Sequence, residues 1–160
     1  MNRGLCSVVA AVVILALPAL AGAQRTLALQ PQDFEIAALT DGMNAEEVRG
    51  VLGPPVATET ADDSRAPGTQ LVVLKYRDLL VILGSEDAVR GVWLTTRAYA
   101  TARGVRVGDA RARVEQLYGR AAVQDDTFAE YRDPAQPLHV IRVLYAKGLA
   151  TRIFLGWLLD

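Results

Sequence analysis

The sequence predicts an α+β fold made of two tandem helix-plus-three-strand units, with the short helices packed on one face of an antiparallel β-sheet. A glycine-bounded motif occurs twice, as GMNAEEVRGVLG at 42–53 and as GDARARVEQLYG at 108–119. The tripeptide YRD also occurs twice, at 76–78 and 131–133, and each copy leads into runs rich in strand-forming residues. Because the order of features is duplicated, we expect two copies of one helix-and-sheet unit.

The first segment along the chain, residues 1–23, has the pattern of a cleavable export signal. Arg3 precedes an unbroken apolar run from Val8 to Leu17, and the small residues Ala21 and Ala23 occupy the positions that a signal peptidase recognises. The run is too short for a membrane span, which needs about 20 apolar residues. We therefore expect cleavage directly after Ala23.

Cleavage between Ala23 and Gln24 leaves a mature domain, residues 24–160, which we expect in the periplasm or outside the cell. The only cysteine, Cys6, precedes the apolar run instead of following it, so we expect no lipid anchor. Its loss with the signal leaves the mature chain without a thiol, although exported domains often contain disulfides. Packing alone must therefore stabilise the mature domain.

Each glycine-bounded motif predicts one short helix. In the first, Asn44 is a favourable N-cap and Glu47 completes a capping box, while Gly53 and Pro54 end the helix. The second helix has a weaker cap, Asp109, one position earlier than its counterpart. The two apolar faces are formed by Val48, Val51 and Leu52 and by Val114, Leu117 and Tyr118. Helices of this length are unstable alone, so we expect both to lie on the sheet.

Six runs of strand-forming residues follow the two helices, three in each unit. In unit one, about 33–96, they are Thr69–Tyr76, Leu79–Leu83 and Val89–Thr95. In unit two, about 97–160, they are Thr127–Tyr131, His139–Tyr145 and Ala150–Trp157. We also expect a short leading helix at Asp33–Leu39 and a polar surface loop at Ala61–Thr69.

Composition and charge argue against several classes of function. The chain has 17 Lys and Arg against 18 Asp and Glu, a formal net charge of -1, whereas nucleic-acid binders are normally basic. The mature part has one histidine, His139, and only Ser64 and Ser85 as serines, both in predicted turns. It thus lacks an evident set of residues for serine-type catalysis, a cluster of metal ligands and a phosphate-binding glycine loop. We expect no enzyme activity, no cofactor and no metal.

Two sets of side chains are candidates for a partner surface. Five arginines gather around the second helix and could bind carboxylates or lipid phosphates as bidentate donors, namely Arg103, Arg106, Arg111, Arg113 and Arg120. The alternative is an ordinary solvated helix face. The tryptophans Trp93 and Trp157 lie in predicted strands, either in the core or in an exposed binding patch. Strand alternation does not distinguish these two placements.

The pattern G-M-N-A-E-E-V followed by L-G-P-P and by strands resembles the small outer-membrane assembly proteins of the SmpA/OmlA (BamE-like) family. The tandem arrangement is similar to the β-lactamase inhibitor protein (BLIP-like) fold, which doubles the same unit. The resemblance implies a non-enzymatic envelope module that binds another protein. Assembly lipoproteins are acylated at the first residue of the mature chain, a cysteine, whereas Gln24 stands in that place here.

Three functions are consistent with these observations. We favour an envelope module that binds another envelope or secreted protein, contacts a membrane surface at most, and binds no nucleic acid. The first alternative is a secreted inhibitor of a hydrolase, in which the loop Ala61–Thr69 inserts into the target. The second is a small periplasmic enzyme, which requires His139 to lie in a pocket with other titratable groups.

Overall fold

The structure is a computed structural model that describes residues 27–62, 67–84 and 86–158. The elements, in chain order, are a 3-10 turn (Pro31–Phe34), α1 (Ala45–Leu52), β1 (Ala57–Asp62), β2 (Gln70–Lys75), β3 (Leu79–Leu83), β4 (Val89–Leu94), α2 (Arg111–Tyr118), β5 (Val123–Gln124), β6 (Phe128–Arg132), β7 (His139–Ala146) and β8 (Leu149–Trp157). The strands form one sheet in the order β1-β2-β3-β4-β8-β7-β6-β5, with antiparallel pairs throughout. β4 and β8 thus join the two halves of the chain at the centre of the sheet.

The predicted fold class, two tandem α+β units of one helix and three strands, is wrong. The described residues form a largely β fold, an eight-stranded sheet with only two short α-helices. The six predicted strand runs coincide with β2–β4 and β6–β8, but β1 and β5 add a fourth strand after each helix. The sequence ATETAD of β1 has no apolar alternation and is exposed throughout, and β5 has only two residues. Of the expected loop Ala61–Thr69, the first two residues belong to β1, and residues 63–66 lie outside the described residues.

Both predicted helices are present, and the first N-cap is confirmed. The Oδ1 atom of Asn44 accepts hydrogen bonds from two backbone amides of the first turn at 2.9 and 3.0 Å, and Glu47 closes the capping box. The expected cap of α2 is wrong, because Ala110 occupies the N-cap position and makes no side-chain bond. The carboxylate of Asp109 instead accepts the backbone amide of Arg106 at 3.0 Å, which stabilises the turn that leads into α2.

The hydrophobic core lies between the two helices and one face of the sheet. Val48 of α1 and Val114 and Tyr118 of α2 are fully buried. They belong to one cluster with inward-facing strand residues such as Val81, Val92, Ile141 and Leu155. Because burial of a large apolar side chain contributes about 1.5–3 kcal/mol, these contacts hold helices that would not persist alone.

Two glycines allow the central strands to approach each other closely. Gly91 of β4 pairs with Gly156 of β8. A Cβ atom on Gly156 would lie 2.4 Å from the carbonyl oxygen of Arg90, and its φ of +139° is a conformation that other residues rarely adopt. A Cβ atom on Gly91 would lie 2.5 Å from the ring of Phe154. The aromatic ring therefore lies directly over the backbone of β4.

The segment before α1 differs from its prediction. It contains the 3-10 turn Pro31–Phe34 where a helix over Asp33–Leu39 is expected. The backbones of Ile36 and Leu39 then exchange two hydrogen bonds, at 2.8 and 3.2 Å, which close a tight turn that a helix could not contain. This leading segment reaches the sheet near the ends of β7 and β8, where Phe34 contacts His139.

The predicted export signal, residues 1–23, lies outside the described residues, so its cleavage stays a prediction. In the part of the chain that the structure describes, α1 and α2 have eight residues each. Neither helix is long and apolar enough to cross a bilayer.

Candidate functional site

The candidate functional surface is the sheet face turned away from the two helices, which we call the open face. Paired residues of antiparallel strands share a face, so the strand register traces one row across the sheet. From β2 to β6 the row consists of Lys75, Leu80, Trp93, Phe154, Arg142 and Glu130. The residues adjacent to this row along each strand, such as Val81 and Val92, point into the core on the helix side. The placement of Trp93, which the sequence leaves undecided, is thus on the open face.

The apolar half of the open face lies on β2, β3, β4 and β8. It consists of Leu71, Val73, Leu80, Ile82, Trp93 and Phe154. None of the six belongs to the core cluster between sheet and helices, and all except Phe154 are only half-buried. The rings of Trp93 and Phe154 are tilted at 47° with their centroids 5.1 Å apart. A contiguous apolar surface of this kind is typical of an interaction site.

The charged half of the open face lies on β6, β7 and β8, where the charged side chains of Glu130, Arg132, Arg142 and Arg152 share the face with Phe128, Val140 and Leu144. Glu130 is 1% exposed, and its two carboxylate oxygens accept hydrogen bonds from different arginines. Arg132 donates from Nε at 2.7 Å, and Arg142 donates from Nε at 2.9 Å and also from Nη2. Burial alone would raise the pKa of Glu130, but the hydrogen bonds from both arginines outweigh it and lower the pKa. Glu130 is therefore ionised at neutral pH and binds both guanidinium groups as a carboxylate.

The electrostatics of the open face differ from those of the whole chain. In the charged half, three arginines against one glutamate leave two positive charges. On β2, Lys75 is paired with Glu59 of β1 at 2.5 Å, which adds no net charge. The chain as a whole has a formal net charge of -1. The open face is therefore locally positive on a weakly acidic protein.

Two of the five predicted surface arginines, Arg103 and Arg106, bind the chain's own groups in the segment before α2. Arg103 forms a two-bond ion pair with Asp33, from Nε at 2.8 Å and from Nη2 at 2.6 Å, and it is 18% exposed. The Nη1 atom of Arg106 donates to the carbonyl oxygens of Arg97 and Ala98, both at 3.1 Å. These contacts stabilise the loop before α2, and they use all three nitrogens of the Arg103 guanidinium but only Nη1 of Arg106.

The other three predicted arginines lie on the helix side. Arg111 donates from Nη2 to the carbonyl oxygen of Asp125 at 2.6 Å. Arg113 is half-exposed and lies 3.3 Å from a carboxylate oxygen of Asp109, and Arg120 is exposed just after α2. The structure therefore does not bring the five arginines together with the open face. Sequence clustering around a helix indicates proximity in the chain, whereas these side chains point in different directions.

Trp157 lies apart from Trp93, at the end of β8 on the helix side. Its indole ring stacks on His139 with centroids 4.5 Å apart, and its Nε1 donates to Oδ2 of Asp41 at 3.0 Å. The ring of Phe34 covers the opposite face of the imidazole at 3.4 Å. His139 is thus enclosed between two aromatic rings, with 7% of its surface exposed.

A cavity of about 260 Å³ adjoins His139 and is lined by the carboxylates of Glu35, Asp41 and Asp133. Oδ2 of Asp41 lies 2.8 Å from Nε2 of the imidazole, and Oδ2 of Asp133 lies 3.9 Å from Nδ1. Nε2 is buried and has no well-aligned hydrogen bond, whereas the indole Nε1 of Trp157 donates to the same oxygen of Asp41 at 3.0 Å. His139 therefore meets the requirement of the enzyme alternative for a pocket, but its Nε2 is shielded from a substrate. The arrangement is better suited to holding the leading segment against the sheet.

The described residues contain no group of three or more His, Cys, Asp or Glu side chains arranged to bind a metal ion. No protein-family model, no curated protein and no solved structure matches this chain. The resemblance to the SmpA/OmlA (BamE-like) and BLIP-like proteins therefore stays a prediction.

Proposed function

We propose that this protein is a non-enzymatic module of the cell envelope that binds another envelope or secreted protein through its open face. The observation that carries the proposal is the apolar half of that face, where five of six side chains keep access to solvent. A sheet face that met only water would carry polar side chains at these positions. The resemblance to SmpA/OmlA (BamE-like) proteins supports the same class of function.

Trp93 is the side chain that we expect to contribute most to binding. It lies on β4, one of the two central strands, and packs against Phe154 of the other central strand. Interface energy concentrates on Trp, Tyr and Arg side chains near the centre of a contact. Truncation of such an anchor typically costs at least about 2 kcal/mol, which corresponds to about 30-fold in affinity.

The proposal is tested by site-specific photo-crosslinking in the organism that makes the protein. A photoreactive residue replaces Leu80 on the open face in one variant and Glu46, on the exposed side of α1, in the control. We expect one protein to be crosslinked from position 80 and not from position 46. The crosslinked protein is then purified and titrated against the wild type, Trp93→Ala and Val51→Ala.

Val51 is a matched control because it is an apolar side chain on α1 with 43% exposure, on the opposite side of the molecule from Trp93. We expect Trp93→Ala to weaken binding about 30-fold or more and Val51→Ala to leave it within about twofold. Equal crosslinking from both positions would contradict the proposal. So would a partner whose affinity is unchanged by Trp93→Ala in a variant that retains its thermal stability.

A further inference from the structure

Arg132 and Arg142 are held at the surface of the charged half by one buried carboxylate. Glu130 and Arg132 are two residues apart on β6 and so point to the same face, and Arg142 is paired opposite Glu130 on β7. Both guanidinium groups bond to Glu130, and that of Arg142 also lies over the ring of Phe128, 5.5 Å from its centroid. The two arginine side chains are thus restrained before any ligand arrives.

Each arginine keeps hydrogen-bond donors that the fold does not use. Arg132 donates to Glu130 through Nε, which leaves both of its terminal nitrogens, and Arg142 keeps Nη1. Within the described residues, no other acceptor bonds to these nitrogens. The side chains of Arg132 and Arg142 are 43% and 34% exposed, so the remaining donors are accessible. Restrained guanidinium donors that face solvent match the geometry of a carboxylate.

The charge of this region favours an anionic ligand. Glu130 neutralises only one of the two arginines that it binds, and Arg152 adds a further positive charge on the neighbouring strand. Arg152 is exposed and lies two residues from Phe154 along β8. A local positive field on a chain of net charge -1 attracts an acidic partner and orients it toward this half of the sheet.

The apolar and charged halves are continuous, because Arg142 is paired directly with Phe154, which packs against Trp93. We propose that the charged half is a carboxylate-binding site, and that the partner is a protein segment in which Asp or Glu side chains stand beside aromatic or aliphatic ones. This inference rests on the proposed function and names the chemistry of its partner. A membrane surface is the less suitable occupant, because the charged half carries a net of only two positive charges, whereas basic patches that bind anionic lipids typically cluster about four to eight Lys and Arg side chains.

A random peptide library displayed on phage is the probe for this site. Peptides are selected on the purified wild-type protein, with competition by Trp93→Ala protein to remove sequences that bind elsewhere. We expect the selected peptides to be enriched in Asp and Glu adjacent to Trp, Phe or Leu. Their affinity should fall about tenfold or more in Arg142→Gln and should weaken as the salt concentration rises.

Two controls separate loss of the site from loss of the fold. Arg113→Gln makes the same charge change on α2, away from the open face, and we expect it to leave peptide affinity within about twofold. Arg152→Gln removes a charge from the site without breaking a bond to Glu130. It therefore tests the site even if Arg142→Gln fails to fold, and we expect it to weaken binding severalfold.

The outcomes distinguish this inference from the proposed function. The carboxylate site would be overturned, but not the proposed binding module, by peptides that require Trp93 and show no enrichment in Asp or Glu. The same conclusion would follow from peptides that bind Arg142→Gln and Arg152→Gln as tightly as the wild type. Arginine-dependent binding to phosphatidylcholine–phosphatidylglycerol vesicles, without any acidic peptide, would overturn it in favour of a lipid surface. Failure to select any peptide that depends on Trp93, together with no crosslinked partner, would overturn both.

Discussion

Replacement of Asp33 by asparagine tests whether Arg103 stabilises the fold instead of forming part of a partner surface. Asp33 is 3% exposed, and its carboxylate accepts Nε and Nη2 of Arg103 at 2.8 and 2.6 Å. The same carboxylate accepts the backbone amide of Gln30 at 2.8 Å, which closes the 3-10 turn. One side chain therefore ties the leading segment to the loop before α2.

The expected loss of unfolding free energy depends on the hydrogen bonds that asparagine can still accept. The substitution is nearly isosteric, so it opens no cavity, but its amide nitrogen replaces one of the two acceptors of Arg103. Removal of one partner of a buried ion pair costs about 3–5 kcal/mol. Because Arg103 keeps 18% exposure, we expect the lower end, about 3 kcal/mol. That loss lowers the Tm by about 10 °C, against a total stability of about 5–15 kcal/mol.

Urea denaturation followed by circular dichroism measures this cost, with Glu35→Gln as the matched control. Glu35 is exposed, lies two residues away and undergoes the same change of charge, so we expect an effect within about 0.5 kcal/mol. Addition of Arg103→Leu to Asp33→Asn should recover part of the loss, because it removes the uncompensated charge. If Asp33→Asn and Glu35→Gln are equally stable, the reasoning is refuted and Arg103 becomes available again as a surface residue.

Three further predictions concern pH and backbone space. Burial raises the pKa of Tyr131 to about 12 and raises that of two more tyrosines, Tyr118 and Tyr145. The stability that these buried tyrosines contribute is complete below about pH 10 and is lost as the pH rises through their folded pKa values. Ultraviolet absorption should therefore show the three phenols ionising only at the pH where circular dichroism reports unfolding. Ionisation of these tyrosines before unfolding would contradict their burial. Because the folded pKa of Glu130 is lowered from the usual 4.5, this carboxylate contributes stability above pH 4.5 that is lost as the pH falls through the folded pKa. Glu130→Gln should therefore make the unfolding free energy depend less steeply on pH in this acid range. An unchanged pH dependence would count against the ion pairs with the two arginines. Gly156→Ala should destabilise the protein by about 3 kcal/mol or more, because the added Cβ would lie 2.4 Å from a backbone atom. Gly50→Ala in α1, where space is open, should stabilise the protein by about 0.5–1 kcal/mol. Equal unfolding free energies of the two variants would refute the steric explanation.

Local signals in the sequence predicted the elements better than their assembly. Asn44 and Glu47 are close in the chain, so the capping box could be inferred before the structure was known, and the structure confirms it. The strand runs were visible because apolar and β-branched residues lie side by side. β1 was missed because its residues are polar and exposed, and a strand of that kind is defined only by its hydrogen bonds to β2.

The five arginines around α2 show the same limit of prediction from sequence, namely that closeness along the chain does not give the tertiary contacts. Arg103 and Arg106 stand close together in the sequence, but they bond to Asp33 and to loop carbonyls. The arginines of the open face, Arg132, Arg142 and Arg152, lie ten residues apart along the chain and therefore form no local cluster in the sequence. The available signal was a Glu-x-Arg pattern at the end of the predicted run Thr127–Tyr131, but its meaning depends on which residue the next strand places opposite Glu130.

The sequence by itself determined the two short helices and the cap of the first one, most of the strands, the absence of a thiol after Cys6 and the small number of candidate catalytic residues. Only the tertiary structure decided that eight strands join in one sheet, that Trp93 faces away from the helices, and that Phe34 and Trp157 enclose His139. The physical reason is that helix caps and strand propensity depend on neighbours within a few residues. Strand order and register depend on pairings between distant parts of the chain, and a change of register by one residue would exchange the two faces of a strand.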